Sequence, residues 1–180
     1  MINLIQNLRK KRRQKQKNDW IIKTQKSFGT CGKNVCLRYS SNFIHPEKII
    51  LGNNIHIGEN AWWRADGGIS VGDNTIISRN CTIFSANHDY LGSSLPFDDK
   101  FKLKEIKIGP QVWIGMNVMI AQGVTIGEGA IIAMGTVVTK DVPPLAIVGS
   151  SQERVIKYRD KDHYYRLLNN GDFLKVDTNK

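Results

Sequence analysis

Cysteine is scarce in this sequence, and long apolar runs are missing. The 180 residues include three cysteines, Cys31, Cys36 and Cys81. Their odd number and the lack of a second closely spaced pair exclude a disulfide framework and argue against a zinc site, so we expect buried free thiols. No window approaches the roughly 18 apolar residues of a membrane-spanning helix. The first apolar run is too short for a secretory signal peptide, which makes the cytoplasm the expected location.

Acidic residues are also in deficit. The chain has 26 Lys and Arg against 16 Asp and Glu, a formal net charge of +10. Much of the excess falls in one short segment, at Arg9, Lys10, Lys11, Arg12, Arg13, Lys15 and Lys17. No aromatic motif for base stacking accompanies this run, so a nucleic-acid partner is not expected. A solvated helix face, attraction to an anionic glycan and attraction to the inner membrane surface remain open.

What the sequence does contain is a strict six-residue repeat. Branched apolar residues recur at this spacing at Ile108, Ile114, Ile120, Ile126, Ile132 and Val138. Gly or Ala follows each isoleucine. A period of six matches neither a helix nor simple strand alternation. It describes short strands joined by tight turns, three to a triangular coil, with the β-branched residues stacked inside the prism.

Interruptions of the repeat indicate where other features lie. Weaker copies begin near residue 31, and the segment Trp62–Gly68 carries an irregularity of two residues. The stretch between Ile83 and Ile108 is too long and polar for a coil. Because a long loop on a rigid solenoid is usually functional, we expect chemistry there.

The chain is predicted to form one domain with an extension at each end. These are a basic N-terminal helical extension, a β-helix domain with a projecting loop, and a C-terminal extension with a helix. They cover residues 1–30, 31–142 (loop 85–105) and 143–180. The first helix is expected to end near residue 17 and to lie across the base of the prism. Pro143 and Pro144 cannot continue a ladder and are expected to close it.

The run I-G-P-Q-V-W-I-G-M-N-V-M-I-A-Q-G-V-T-I-G-E-G-A-I-I-A-M-G-T-V-V-T-K-D-V-P-P resembles the hexapeptide-repeat acyltransferase superfamily. The likeness is to its maltose/galactoside and xenobiotic acetyltransferase branch, and it extends over roughly residues 30 to 160. It implies an all-β, left-handed parallel β-helix that uses acetyl-CoA. It also implies a homotrimer with each site between two subunits.

The same resemblance assigns roles near the interruptions. His88, just before the projecting loop, matches the base that takes the proton of the acceptor hydroxyl, a role that imidazole suits. Asp66 matches a carboxylate that hydrogen-bonds the acceptor sugar. Its neighbours Trp63 and Arg64, and Asn87 beside His88, are the other acceptor candidates. One ring of the pair Trp62 and Trp63 is expected to face the acceptor, with packing against a neighbouring subunit as an equal alternative. Arg64 either pairs with a carboxylate or is solvated.

Acetyl-CoA is expected along the second half of the prism. The resemblance implies contacts from Trp113 near the thioester, from backbone groups at Met116 and Met134, and from Thr139 and Lys140 near the adenosine. Arg154 matches a basic residue that meets a phosphate. This chain has Ser-Gln-Glu-Arg where the family usually has Asn-Pro-Ala-Lys, which places the phosphate contact in doubt.

No catalytic metal is predicted. Carbonic anhydrases on this scaffold use three histidines, two of them five residues apart, and no such pair occurs here. His45, His56 and His163 are expected to be structural or solvated.

The expected reaction is acetyl-CoA-dependent O-acetylation of a sugar hydroxyl, with a surface polysaccharide or its precursor as acceptor. O-Acetylation of an antibiotic and N-acetylation of an amino sugar are alternatives, because donor and base are shared. A non-catalytic β-helix that acts as a scaffold or binding module is the alternative from another class.

Overall fold

The computed structural model describes residues 2–89, 97, 99–149, 154–158 and 160–172. Within these residues, short parallel strands form five complete coils of a solenoid, and each strand stacks on its equivalent in the previous coil. A hairpin follows the third coil, and one helix lies at each end of the chain. The predicted all-β, left-handed β-helix class with a projecting loop and terminal helices is confirmed.

The elements follow the coils in chain order. Helix α1 (Ile2–Ser27) precedes coil 1, which contains β1 (Thr30–Cys31), β2 (Cys36–Leu37) and β3 (Asn42–Ile44). Coil 2, after a 3-10 turn at Pro46–Lys48, contains β4 (Ile49–Leu51), β5 (His56–Ile57) and β6 (Trp62–Arg64). Coil 3 contains β7 (Ile69–Val71), β8 (Ile76–Ile77) and β9 (Thr82–Phe84).

The second half begins with the hairpin strands β10 (Ala86–His88) and β11 (Phe101–Leu103). Coil 4 contains β12 (Ile106–Ile108), β13 (Trp113–Ile114) and β14 (Met119–Ile120). Coil 5 contains β15 (Thr125–Ile126), β16 (Ile131–Ile132) and β17 (Val137–Val138). The last elements are β18 (Ala146–Gly149), β19 (Arg154–Tyr158) and α2 (Lys161–Asn170).

Three sheets form the faces of the prism. The first face orders β1, β4, β7, β12 and β15, the second β2, β5, β8, β13, β16 and β18, and the third β3, β6, β9, β14 and β17. Turns from the third face to the first form what we call the loop edge, comprising residues 45–48, 65–68, 85–89, 99–105, 121–124 and 139–141. Turns from the first face to the second form the first edge, and turns from the second to the third form the second edge.

Branched side chains fill the prism interior, as the repeat predicts. Ile77, Ile114 and Ile132 pair in register on the second face and are at most 1% exposed. Burial of each such side chain contributes about 1.5–3 kcal/mol relative to leaving it in water. The ladder of isoleucines is therefore the main source of stability in the solenoid.

Coil length changes along the prism, and the change is confined to one edge. Asn42 and Ile50 occupy equivalent positions on the third and first faces and are eight positions apart. The corresponding pair in coil 4, Met119 and Thr125, is six apart. The two-residue irregularity at Trp62–Gly68 is thus a longer turn on the loop edge.

Asparagines form the turns of the other two edges in the first half. Asn34, Asn54 and Asn74 have φ of 56°, 55° and 57°, in the left-handed region that asparagine tolerates better than most residues. Their side-chain amides form a ladder along the first edge, at 3.0 Å and 2.9 Å. Side-chain hydrogen bonds thus stabilise turns that the backbone alone disfavours.

Helix α1 is longer than predicted. It continues through residues 18–27, which were expected to be a connection, and ends at Ser27. Trp20 packs edge-on against Tyr39 at 5.3 Å, and the Gln25 Nε2 donates to the Val35 carbonyl at 2.7 Å. These contacts with coil 1 extend the helix. The contacts of α1 with coil 1 begin near Lys17, whose Nζ lies 5.8 Å from the centroid of the Tyr39 ring, and continue along its C-terminal part.

Pro143 and Pro144 do not close the prism. Val142 still bridges to Ile126, and β18 adds another parallel strand beside β16. The prolines lie in a first-edge turn, where the missing N–H groups interrupt no ladder. The antiparallel strand β19 then pairs with β18.

Helix α2 is anchored on the first edge. Asp160 caps it by accepting a hydrogen bond from the His163 N–H at 2.7 Å. Tyr164 is 4% exposed, and its hydroxyl donates to Glu128 Oε1 at 2.9 Å. None of the helices among the described residues has the length and apolarity needed to cross a bilayer.

The three thiols are free. Cys36 and Cys81 are buried, as predicted, while Cys31 is partly exposed. Burial raises the pKa of Cys81 to about 11, and its Sγ lies 3.2 Å from the Gly115 carbonyl. At this pKa the thiol stays protonated and acts as a small core residue.

Candidate functional site

The loop edge gathers most of the polar candidates onto one side of the prism. Asp66 lies in the turn between coils 2 and 3, and His88 lies in the next turn, between coils 3 and 4. Thr139 and Lys140 lie further along the same edge. Adjacent turns of a parallel solenoid are stacked, so residues far apart in sequence become neighbours.

His88 is the last residue of β10 and pairs in register with Phe101 of β11. Its imidazole stacks on Phe97 with ring centroids 3.7 Å apart and planes inclined by 21°. Phe101 lies on it at 4.3 Å and 37°. The ring is half-buried against these aromatics, at the end of β10.

Asp66 is held by Arg64. The guanidinium donates from Nε to Oδ2 at 2.8 Å and from Nη2 to Oδ1 at 3.2 Å. These hydrogen bonds lower the pKa of the Asp66 carboxyl below its usual range and raise the pKa of Arg64. Of the two predictions for Arg64, pairing with a carboxylate is confirmed.

Ser85 ties this turn to the start of the hairpin. The side chain is fully buried. Its Oγ donates to the Arg64 carbonyl at 3.1 Å and accepts from the Gly67 N–H at 2.9 Å. The backbone on both sides of Asp66 is therefore fixed relative to the strand that leads to His88.

His45 joins this cluster, although the sequence placed it outside the site. Its Nε2 lies 3.8 Å from Asp66 Oδ1, and its Nδ1 lies 3.2 Å from Glu47 Oε1. The relevant signal in the sequence is position, since His45 lies in the loop-edge turn one coil before Asp66. By contrast, His56 and His163 lie away from this edge, and burial lowers the pKa of His56.

Trp63 was predicted to contact the acceptor, and this prediction is wrong. Its side chain is 0% exposed and packs on Phe43 at 5.4 Å inside the prism. Strand alternation explains the outcome, because Trp63 points inward between two outward residues. Trp62 is the exposed member, at 48%, and it contacts Phe84 at 5.3 Å on the outside of the third face.

Asn87 is exposed, but its amide is engaged locally. Its Oδ1 accepts from the His88 N–H at 2.9 Å. The amide thus fixes the backbone that carries the imidazole. Its role as an acceptor contact stays a prediction.

The predicted cofactor residues do not form one cluster within a single chain. Met116 and Met134 occupy successive turns of the second edge, where the Gly135 N–H donates to the Met116 carbonyl at 2.8 Å. Trp113 is 54% exposed on the second face. The third face therefore separates these three residues from His88. The side chain of Arg154 lies outside the described residues.

The described part of the chain contains no group of three or more His, Cys, Asp and Glu side chains that could hold a metal ion. The loop-edge cluster instead combines the His88 imidazole beside two phenylalanines, the Asp66 carboxylate held by a guanidinium, and the His45 imidazole near that carboxylate. Such a set can bind hydroxyl groups and accept a proton.

Comparison with known proteins identifies the family. The model described as "Bacterial transferase hexapeptide (six repeats)" matches residues 105–140, and "Hexapeptide repeat of succinyl-transferase" matches residues 48–85. Galactoside O-acetyltransferase from Escherichia coli (strain K12) is 32% identical over 154 residues, which are 84% of this chain and 74% of the relative. The chain belongs to the hexapeptide-repeat acetyltransferases.

Solved structures share the fold of this hexapeptide-repeat acetyltransferase. A hexapeptide-repeat containing acetyltransferase from Vibrio cholerae superposes with a TM-score of 0.73 at 30% identity, over 80% of this chain and 82% of the other. A galactoside acetyltransferase in complex with coenzyme A gives 0.71 at 30% identity, over 78% and 70%. The resemblance to the galactoside branch that the repeat predicted is confirmed, and the chain is an enzyme.

Proposed function

We propose that this hexapeptide-repeat acetyltransferase transfers the acetyl group of acetyl-CoA to a sugar hydroxyl, with His88 as the general base. The observation that carries the proposal is the placement of His88 in the turn next to the Arg64–Asp66 pair. An imidazole can take a hydroxyl proton, and an ionised carboxylate in the adjacent turn can orient a second hydroxyl of the same sugar. The names of the relatives support a sugar acceptor and a coenzyme A donor.

The proposed reaction needs one base. His88 accepts the proton of the acceptor hydroxyl while that oxygen attacks the thioester carbonyl. A C–O bond forms, the C–S bond breaks, and the thiolate takes the proton back from the imidazolium. The products are the acetyl ester and free coenzyme A, and no residue is left acylated.

The donor site is proposed to lie between subunits of a homotrimer. Exposed apolar residues line up in register on the third face at Trp62, Met119 and Val137. On the second face, exposed Trp113 pairs with Ile76 and Ile131. Two different apolar faces favour a head-to-tail contact that closes a ring. This arrangement would bring Trp113, Met116 and Met134 of one chain toward His88 of the next.

The acceptor is proposed to be a surface polysaccharide or its precursor, with an anionic chain favoured. The side chains of α1 from residue 5 through residue 19 are exposed, including seven Lys and Arg. Such a helix attracts polyanions. Because Ile5 and Leu8 are exposed before the basic run, peripheral binding to the inner membrane surface is the competing role. The donor is a cytoplasmic metabolite, so we place the reaction in the cytoplasm.

Release of free thiol from acetyl-CoA tests the proposal. The purified enzyme is assayed with methyl β-galactoside, maltose, glucosamine and chloramphenicol as acceptors. We expect turnover with a sugar hydroxyl and a loss of about 10²–10⁴-fold in His88→Ala. His163→Ala is the matched control, since His163 is exposed on α2. Undiminished turnover in His88→Ala would disprove the base assignment, and turnover with glucosamine or chloramphenicol alone would favour the alternative acceptors.

A further inference from the structure

The His88 imidazole is unusual for a base in the surroundings of its Nδ1 atom. Among the residues that the structure describes, none pairs with Nδ1, which is buried. A catalytic imidazole is ordinarily oriented by a hydrogen bond to its second nitrogen. Here the orienting contacts are the two aromatic rings, Phe97 at 3.7 Å and Phe101 at 4.3 Å.

Phe101 contacts a second functional group as well. The guanidinium carbon of Arg64 lies over its ring, 4.6 Å from the centroid. A guanidinium over an aromatic ring is attracted by the ring quadrupole. One phenyl ring therefore touches both the imidazole of the proposed base and the arginine that holds Asp66.

The arginine at the far end of this chain of contacts is itself fixed. Its two hydrogen bonds to Asp66 measure 2.8 Å and 3.2 Å, and its carbonyl accepts from the buried Ser85. Lys48 Nζ also donates to the Asp66 carbonyl at 2.9 Å. The turn between coils 2 and 3 is thus a rigid support against which Phe101 can rest.

We infer that Phe101 is a positioning residue for acetyl transfer, which aligns the His88 imidazole by stacking and couples it to the Arg64–Asp66 pair. The inference rests on the proposed role of His88 as base. In this arrangement, the group that binds the acceptor and the group that deprotonates it keep their relative position through one aromatic ring. Stacking restricts the tilt of the imidazole plane without occupying either ring nitrogen.

The test compares Phe101→Leu, which removes the ring and keeps apolar volume, with Phe101→Tyr, which keeps the ring. Kinetics with methyl β-galactoside and acetyl-CoA are combined with NMR of histidine labelled with ¹³C in the ring. The His88 signal is assigned by its loss in His88→Ala. Leu103→Ala is the matched control, because Leu103 lies two residues further along β11 and is 52% exposed.

We expect Phe101→Leu to lower kcat by about 10- to 100-fold, since misplacement of a reacting group by an ångström costs this much. The KM for acetyl-CoA should change by less than about twofold, and the His88 ring protons should lose the part of their ring-current shift that comes from Phe101, while the part from Phe97 remains. Phe101→Tyr should restore both kcat and the shift, and Leu103→Ala should alter neither. A thermal melt confirms that each variant is folded.

If Phe101→Leu had the kcat of wild type while His88→Ala was inactive, the inference would be overturned and the proposed function would stand. If the His88 signal of Phe101→Leu had the same chemical shift as in wild type, the inference would also be overturned, whatever the kinetics. Full activity of His88→Ala would overturn the proposed function together with the inference. The two failures are therefore distinguishable.

Discussion

Asp66 accepts two hydrogen bonds from Arg64, at 2.8 Å from Nε and 3.2 Å from Nη2. The planar guanidinium matches the carboxylate fork, and such paired contacts are stronger than neutral hydrogen bonds. Each carboxylate oxygen has two acceptor positions, so the pair leaves room for further hydrogen bonds from a hydroxyl group. A carboxylate that is both fixed and incompletely satisfied is well suited to orient an acceptor.

The pairing makes stability depend on pH through Asp66. Arg64 lowers the pKa of Asp66 in the folded state. The pair therefore contributes stability that is fully present above the unfolded pKa of about 3.9 and is lost as the pH falls through the folded pKa. We expect the free energy of unfolding of wild type to exceed that of Asp66→Asn at pH 7, and the difference to shrink below about pH 4. Denaturant unfolding at both pH values measures it, and a difference independent of pH would contradict the assignment.

Replacement of Ser85 should loosen the support of the site. Ser85→Ala removes one donor and one acceptor from a buried position and leaves the Gly67 N–H without its partner. We expect a loss of about 1–3 kcal/mol in the free energy of unfolding. Ser70→Ala is the control, because its Oγ makes one long contact, 3.5 Å to Glu105. Equal stability of the two variants would mean that Ser85 does not fix the turn.

The two adjacent tryptophans should respond in opposite ways to truncation. Trp63→Ala opens a cavity inside the prism and is expected to cost about 3–5 kcal/mol. Trp62→Ala removes an exposed ring from the third face. The free energy of unfolding of this variant should change little, while its tendency to associate should fall. Denaturant unfolding and light scattering separate these effects. If Trp62→Ala remained fully trimeric, the Trp62 ring would not be part of the proposed contact between subunits.

Charge on α1 should control binding to polyanions. Replacement of Lys10, Lys11, Arg12 and Arg13 by Gln is expected to lower the salt concentration at which the enzyme elutes from immobilised dextran sulfate, because exposed charges are screened by salt. Replacement of Lys23 and Lys26, near the other end of the helix, is the control. If replacement of the first set left the eluting salt concentration unchanged, the glycan role would be refuted. Salt-sensitive sedimentation with phosphatidylserine vesicles, without retention on dextran sulfate, would assign the helix to a membrane surface.

The isoleucine ladder and the position of the projecting loop could be predicted because both depend on period alone. A residue such as Ile114 is confined to the interior by its place in a six-residue repeat, whatever lies around it. The same period predicts an interior position for Cys81, which lies four residues after Ile77. The period also located the turn that holds Asp66, since it fails there by two residues.

Other features depend on contacts that no local pattern contains. Trp63 is an exception, because it lies six residues after the buried Ile57 and the period alone places it inside the prism. The extent of α1 depends on its packing against coil 1, through Trp20 and Gln25. The stacking of Phe101 on His88 requires the pairing of β10 with β11, across residues with no repeat.

The extra residues on the loop edge separate architecture from specificity. In coils 1 and 2 every turn except that of the loop edge keeps the six-residue spacing, so the added length lies outside the isoleucine ladder. Substitutions at exposed positions of this edge can change the surface beside His88 without disturbing that ladder, whereas buried members such as Ser85 contribute to stability. Enzymes built on the same prism can therefore differ in the length and sequence of the loop edge while they keep the same ladder.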